Sequence, residues 1–188
     1  VSNAPKPELK PADYINWVEN PENAFLLEKS INEFTYVALY KPTDYSSLVE
    51  YAALENINAD KFREIQKSYE GMEYFTFKIS CSATNDELLK YKSSSSSEYF
   101  NRLEYFSFKA QSDFNLLAGR DTINCQLFHF ERSFGLAPVL TFVIGFPKPQ
   151  KSNGSMTLIY EDRIFKNGTI KLFFPNEILK SEPELGLN

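Results

Sequence analysis

The chain has 188 residues, of which 43% are hydrophobic and 15% aromatic, and these proportions exclude a globally disordered chain and suit one sizeable domain. Acidic residues outnumber basic ones by 25 to 20, the formal net charge is −5 and the basic residues are scattered, so we expect no nucleic-acid partner. No apolar run reaches the roughly 18 residues that a membrane-spanning helix needs.

The first eleven residues differ in composition from the rest of the chain, since prolines are interspersed there with Lys, Glu, Asn and Ser. This mixture favours extended and solvated backbone over packed structure. We therefore predict a proline-rich tether over residues 1–11 and a single β-rich domain over residues 12–188. A tether of this kind suits a mature lipoprotein whose acylated cysteine lies upstream of Val1, and vector-derived residues have a similar composition.

In the first half of the domain, helical spacing of apolar residues is interspersed with the alternation that is typical of strands. A helix that begins at Asp13 should end at Asn20, because the residue before a proline avoids the helical region. The sequence from Phe34 to Lys41 alternates as a strand that is buried on both faces, and a proline ends it. The other elements predicted here are two helices over 47–70 joined at about residue 58, a strand over 74–79, a short helix over 85–89, a mobile loop over 93–97 and a brief helix over 99–103.

From Glu104 onward, the sequence repeats a pattern of strand and turn. Asn167-Gly168, between two strand-like runs, is the sharpest hairpin signal in the chain. The run from Val139 to Ile144 is apolar on both faces apart from its threonine, as expected of a central strand. The strands predicted in this half cover residues 104–111, 122–132, 139–146, 155–162 and 169–174. Together these features favour a mainly β (α+β) fold, an antiparallel β-sandwich with short helices inserted in its N-terminal half.

The strongest catalytic candidates are Cys125, His129 and Glu131, which lie within one segment of the sequence. On a helix, Cys125 and His129 would meet. The alternating phenylalanines of this segment indicate a strand instead, on which four residues span about 13 Å, too far for a thiolate and its base to share a proton. His129 and Glu131 would share one face of that strand as a surface or interface pair. We therefore predict no catalytic residue and a protein that is not an enzyme.

The sequence also lacks the patterns that hold metals or cofactors, and we predict neither. One His and two widely separated Cys do not provide zinc spacing, and the acidic residues form no calcium loop. Neither a glycine-rich phosphate loop nor a Gly-x-Ser-x-Gly nucleophile motif occurs. Glu161 and Asp162 are the adjacent carboxylates that a glycosidase reading would use, but acidic pairs before a turn are usually solvated.

Two further features concern covalent modification. Cys81 and Cys125 are both predicted on strands, either as buried free thiols or as a disulfide, and a disulfide would imply an oxidising compartment such as a periplasm. The tripeptide around Thr122, Asp-Thr-Ile, matches the short Asp-(Ser/Thr)-aliphatic pattern that resembles the O-glycosylation acceptor of Bacteroidota. Thr122 is therefore a candidate glycosylation site.

Three segments resemble parts of uncharacterised exported lipoproteins of Bacteroidota: Trp17–Asn23, Tyr40–Pro42 and Leu127–Arg132. The resemblance covers most of the chain. It implies export and an N-terminal lipid anchor upstream of Val1, on the periplasmic or the cell-surface face of the outer membrane, and it supplies no activity. The acylated cysteine of that pattern does not precede the tether in this sequence.

We therefore expect a non-enzymatic extracytoplasmic lipoprotein that binds proteins, as an accessory or structural subunit of an outer-membrane protein complex. The alternative is a binding module for a glycan or another small ligand, since exposed aromatic rings stack on sugar faces. Three or more exposed aromatics around one concavity would favour the ligand, whereas a flat apolar patch with a polar rim would favour a protein partner. A hydrolase, the third hypothesis, requires a cleft in which His129 or Glu161 meets a second titrating group.

Overall fold

The computed structural model describes residues 6–52, 59–132, 138–149 and 154–187. Within these ranges, two antiparallel sheets pack face to face and enclose the main hydrophobic core. The strands are, in chain order, β1 (Glu8–Leu9), β2 (Leu26–Ile31), β3 (Phe34–Lys41), β4 (Met72–Cys81), β5 (Phe114–Ala118), β6 (Asp121–Asn124), β7 (Leu127–Glu131), β8 (Val139–Pro147), β9 (Met156–Asp162), β10 (Gly168–Phe174) and β11 (Glu184–Leu185). The helices are α1 (Pro11–Glu19), α2 (Thr43–Ala52), α3 (Ala59–Tyr69), α4 (Ser96–Phe108) and α5 (Asn176–Lys180).

One sheet has five strands in the order β2-β3-β4-β8-β7, and the other has four in the order β10-β9-β5-β6. Because successive side chains of a strand point to opposite faces, the central strand β4 places Phe75, Phe77 and Ile79 in the core. Phe114 and Tyr160 pack on Phe77 from the facing sheet, with ring centroids 5.2 and 5.0 Å from that of Phe77. The predicted mainly β (α+β) fold, an antiparallel sandwich with short helices, is confirmed.

The two ends of the sandwich differ in what covers them. At the end where β4 begins with Met72 lie α1, α2, α3, α5 and the β1–β11 pair, and we call it the helical end. At the other end, where β4 finishes with Cys81, lie the β2–β3 turn, the β9–β10 turn and the segment before α4, and we call it the turn end. There Phe34 stacks on Phe165 with ring centroids 4.7 Å apart.

The helical end has its own apolar cluster, separate from the core between the sheets. Trp17 packs edge-on against Phe25, with ring centroids 5.1 Å apart. The helices predicted over 13–20 and 47–70 are confirmed as α1, α2 and α3, and the predicted junction near residue 58 lies outside the described residues. None of the described helices has the length and apolar character needed to cross a membrane.

The tether predicted over residues 1–11 is ordered in its second half, and residues 1–5 lie outside the described ranges. Glu8 and Leu9 form β1, which pairs in parallel with β11. The amide of Gly186 donates to the carbonyl of Leu9 at 2.8 Å. Pro11 then begins α1, where a proline costs no helical hydrogen bond. Residues 8–11 therefore belong to the folded domain.

The strand predicted over 104–111 is wrong, because residues 104–108 belong to helix α4 and a 3₁₀ turn over Ala110–Asp113 follows it. Phe106 and Phe108 alternate with serine as strand residues do, but Tyr99, Leu103 and Phe106 also recur at helical spacing and pack on the core. The hydroxyl of Ser95 caps the helix by accepting from the amide of Glu98. The predicted mobile loop over 93–97 thus runs into the first turn of α4.

The single strand predicted over 122–132 is two strands in different sheets. The chain leaves β6 at Asn124 and enters β7 at Leu127, so it crosses between the sheets at Cys125 and Gln126. Strands β2 and β5 were not predicted, and the short helix predicted over 85–89 is a 3₁₀ turn over Leu88–Lys90. The other predicted strands and the β9–β10 hairpin are confirmed.

Candidate functional site

The structure separates the two cysteines along the five-stranded sheet. Cys81 is the last residue of β4. Cys125 lies two residues before Leu127, which pairs with Gly145 of β8. Gly145 in turn pairs with Tyr74, near the start of β4. The seven steps along the strand from Tyr74 to Cys81 span about 23 Å, far beyond the Cα separation that a disulfide bridges. Both cysteines are buried free thiols, so the structure selects the first of the two alternatives left by the sequence and not the disulfide.

The structure does not bring Cys125 and His129 together. Cys125 is buried, and its Sγ donates to the carbonyl of Leu127 at 3.0 Å. Burial raises the pKa of this thiol to about 11, so it stays protonated near neutral pH and is not an activated nucleophile. His129 and Glu131 are exposed on the edge strand β7. No group of three or more His, Cys, Asp and Glu side chains within the described ranges is arranged to hold a metal ion.

Glu161 and Asp162 have different surroundings, and the expectation that both are solvated is wrong for Asp162. Asp162 is only 3% exposed and accepts hydrogen bonds from the Tyr36 hydroxyl, the Phe165 amide at 2.9 Å and the Asn167 Nδ2 at 3.0 Å. Glu161 accepts from its exposed neighbour across the hairpin, Thr169. Asp162 therefore has a structural role, which is to fix the β9–β10 turn.

Thr122 lies on β6, the edge strand of the four-stranded sheet, and its side chain is exposed. Its backbone pairs with that of Leu117 in β5. An enzyme that modifies this residue would reach the hydroxyl without opening the sandwich. Glycosylation of Thr122 stays a prediction.

Tyrosine hydroxyls that donate to carboxylates occur throughout the molecule, and sequence spacing gives no sign of them. Burial raises the pKa of several of these hydroxyls above the ordinary value, and the neighbouring carboxylates add to the shift. The pairs are Tyr14 with Glu182, Tyr36 with Asp162, Tyr40 with Glu73, Tyr45 with Glu19, Tyr69 with Glu50, Tyr91 with Glu33, Tyr99 with Glu87 and Tyr105 with Asp113.

Three of these carboxylates are sufficiently buried that desolvation raises their pKa: Glu73, Asp113 and Glu182. In each case the hydrogen bond from tyrosine opposes the shift, and the Arg163 guanidinium also contacts Asp113, with an Nε to Oδ1 distance of 2.8 Å. A raised carboxyl pKa is a feature of general acids. Here each carboxylate accepts a hydrogen bond from an internal tyrosine, which is a structural use of the group.

Helix α4 exposes two large aromatic side chains. Phe106, on its inner side, is buried against Phe142, with ring centroids 5.6 Å apart. Phe100 and Phe108, on its outer side, are 62% and 80% exposed. They are eight positions apart in the helix, so they lie about 12 Å apart along the axis. We call this outer side, formed by Ser97, Phe100, Asn101, Glu104 and Phe108, the α4 face.

A hollow adjoins each of the two exposed rings. The hollow beside Phe108 has a volume of about 600 Å³ and is bordered by Phe114, Asn124 and Cys125, at the crossing between the two sheets. The hollow beside Phe100 has a volume of about 480 Å³ and is lined mainly by the serines that precede α4. The α4 face is therefore an alternation of protruding aromatic rings and depressions with polar residues between them.

The exposed aromatics do not converge on one concavity. In the described part of the chain, the aromatic side chains with a large exposed fraction are Phe100, Phe108 and Phe173, and Phe173 lies on β10, apart from the other two. Aromatic rings in a polar frame are typical of protein-binding surfaces. The sequence-based criterion for a ring-stacked glycan, three or more exposed aromatics around one concavity, is therefore not met within the described residues.

No protein-family model and no curated protein matches this sequence. Among solved structures, the chain is similar to the crystal structure of a novel protein of unknown function from Burkholderia pseudomallei K96243. The identity is 7%, the alignment covers 93% of each chain and the TM-score is 0.38. A likeness at this level carries no functional argument, so the proposals below depend on the geometry of the molecule itself.

Proposed function

We propose that the protein is a non-enzymatic extracytoplasmic lipoprotein that binds a protein partner through the α4 face, as an accessory or structural subunit of an outer-membrane assembly. The observation that carries the proposal is the exposure of Phe100 and Phe108 on one side of one helix. Burying an exposed phenylalanine ring stabilises a complex by about 2 kcal/mol. Two such rings are sufficient anchors for an interface whose other contacts are polar.

The surroundings of the two rings also suit a protein partner. Asn101 and Glu104 lie between them on the α4 face, and Lys109 forms an ion pair with Glu104 at 2.7 Å. Interfaces commonly combine a small aromatic core with a polar rim of this kind. The hollow of about 600 Å³ beside Phe108 has room for a side chain from the partner.

The position of β1 is compatible with a lipid anchor. Residues 8–9 are held at the helical end by pairing with β11, whereas α4 begins at the turn end, next to the segment over 91–92. An anchor attached upstream of β1 would therefore hold the helical end near the membrane. The α4 face would then stay accessible to a membrane-protein partner.

The test is crosslinking of the protein in native membranes, purification in gentle detergent and identification of copurifying proteins by mass spectrometry. We expect a stoichiometric outer-membrane protein with the wild type and its loss with the double variant Phe100→Ala/Phe108→Ala. Phe173→Ala is the matched control, because Phe173 is 56% exposed on another surface.

Two results would contradict the proposal. A monodisperse monomer without a stoichiometric companion would remove the protein-binding function. If the copurifying protein is lost equally with Phe173→Ala and with the double variant, the α4 face is not its binding site.

A further inference from the structure

A further hollow, at the turn end, has the features of a small-ligand site and is independent of the proposed protein-binding function. Its volume is about 380 Å³, within the range of ligand pockets. Four segments that are distant in sequence enclose it: the β2–β3 turn, residues 91–92, Arg102 of α4 and the β9–β10 turn. We call it the turn-end hollow.

Hydrogen bonds between the segments hold the turn-end hollow in shape. The Asn32 Nδ2 donates to the Asn167 Oδ1 at 3.0 Å, which joins the two turns. The Lys92 ammonium donates to the Glu33 Oε1 at 2.8 Å, and the Arg102 Nη1 donates to the Tyr91 carbonyl at 2.6 Å. Asp162 fixes the β9–β10 turn from beneath. A wall that is already ordered lowers the entropic cost of binding.

Positive backbone φ angles are concentrated around this hollow. Three of the four described non-glycine residues with positive φ line it: Asn32 at 53°, Lys92 at 50° and Lys166 at 60°. Asparagine tolerates the left-handed region, but lysine rarely adopts it. Strain of this kind persists where the surrounding structure over-determines it, and it clusters at ligand sites. The fold therefore holds two lysines in disfavoured conformations at the rim of one hollow.

The charge of the hollow is opposite to that of the whole chain. Lys92, Arg102 and Lys166 line it against one carboxylate, Glu33, although the chain has a net charge of −5. Lys92 is paired with Glu33, and Arg102 with Glu98. Lys166 is exposed and forms no ion pair with any other residue that the structure describes, so its ammonium is available to a ligand anion.

We propose that the turn-end hollow binds a small acidic sugar, with Lys166 contacting its carboxylate and the Asn32 Oδ1 accepting a hydrogen bond from a hydroxyl. The Asn32 Oδ1 accepts no hydrogen bond from the described residues, while its Nδ2 is used. Ile164 and Phe165 supply apolar contact for the carbons of the sugar ring. The volume suits a monosaccharide acid, and recognition is by charge and hydroxyl groups rather than by ring stacking.

The test is titration of the full chain with glucuronate, glucose and inorganic phosphate, followed by calorimetry or ligand-observed NMR. We expect glucuronate to bind about tenfold more tightly than either of the others, because only glucuronate combines a carboxylate with the hydroxyls of a sugar ring. Lys166→Gln should weaken glucuronate binding about tenfold. Lys171→Gln is the matched control, since Lys171 is an exposed lysine in the same hairpin and its loss changes the net charge equally.

Three results would overturn the assignment. If glucuronate does not bind, the turn-end hollow is not a site for acidic sugars. If Lys166→Gln and Lys171→Gln weaken glucuronate binding equally, Lys166 does not contact the carboxylate. If phosphate binds as tightly as glucuronate, the hollow is a general anion site and does not recognise the sugar. None of these results bears on whether the α4 face binds a protein, which the crosslinking experiment decides separately.

Discussion

Both ends of the sandwich combine aromatic packing with tyrosine–carboxylate hydrogen bonds, but they differ in the residues at their centres. At the helical end, Phe25, Leu48 and Phe62 belong to one apolar cluster that the helices enclose. At the turn end, the buried carboxylate of Asp162 organises a turn through several hydrogen bonds. Apolar packing tolerates substitutions that conserve volume, whereas a buried polar network fails when one partner is lost. We therefore expect loss of Asp162 at the turn end to be tolerated less well than a volume-conserving substitution in the apolar cluster of the helical end.

Removing a core ring from the helical end should have the largest effect. Phe25 is fully buried beside Trp17 and Tyr40, so Phe25→Ala should lower the free energy of unfolding by about 4 kcal/mol. Phe25→Leu should cost about 1 kcal/mol, because the cluster can repack around a similar volume. Urea unfolding followed by circular dichroism measures both. Equal costs for the two variants would show that the helical end does not repack.

Removing the central acceptor of the turn end should have the next largest effect. Asp162→Ala leaves the Phe165 amide and the Asn167 side chain without their acceptor and should cost about 3 kcal/mol. Hydrogen exchange of the amides over 163–167 should accelerate more than exchange in β4. The control is Glu161→Ala, which should stay within about 0.5 kcal/mol of the wild type. A similar cost for both variants would contradict the structural role of Asp162.

The two ends should also respond to pH in opposite directions. Burial raises the pKa of Glu182, at the helical end, above its ordinary value of 4.5. Its contribution to stability is therefore complete below pH 4.5 and is lost as the pH rises through the folded-state pKa. At the turn end, the hydrogen bond from Lys92 lowers the pKa of Glu33 to about 2. The contribution of Glu33 is present above pH 4.5 and is lost as the pH falls towards 2.

Unfolding free energies of Glu182→Gln and Glu33→Gln, measured from acid to neutral pH, would separate these two contributions. Glu182→Gln should reduce the fall in unfolding free energy that the wild type shows as the pH rises above 4.5. Glu33→Gln should reduce the fall that the wild type shows as the pH drops below 4.5. The Glu33 effect should be the smaller, because that side chain is partly exposed and solvent screens its ion pair. A change of the same sign in both variants would contradict the comparison.

Strict alternation allowed the sequence to predict most of the sandwich. The strand predicted over 34–41 is β3, and the one over 169–174 is β10 within one residue. The wrongly predicted segment over 104–111 fits both the alternation of a strand and the apolar spacing of a helix. Packing of Phe106 on the core favours the helix, which ends at Phe108. The exposure of Phe108 follows from which side of α4 faces the core. The turn-end hollow joins four distant segments, and no local spacing encodes that meeting.

The crossing at Cys125 and Gln126 has a consequence for how the sandwich opens. These two residues join the sheets covalently at the side formed by β6 and β7. At the opposite side, β2 and β10 belong to different sheets, and side-chain hydrogen bonds such as Asn32 to Asn167 hold them together. The two sheets are therefore joined by the backbone on one side and by side-chain hydrogen bonds on the opposite side. Any partial separation of the two sheets should begin on the side formed by β2 and β10, and it should expose the stacked rings of Phe34 and Phe165 first.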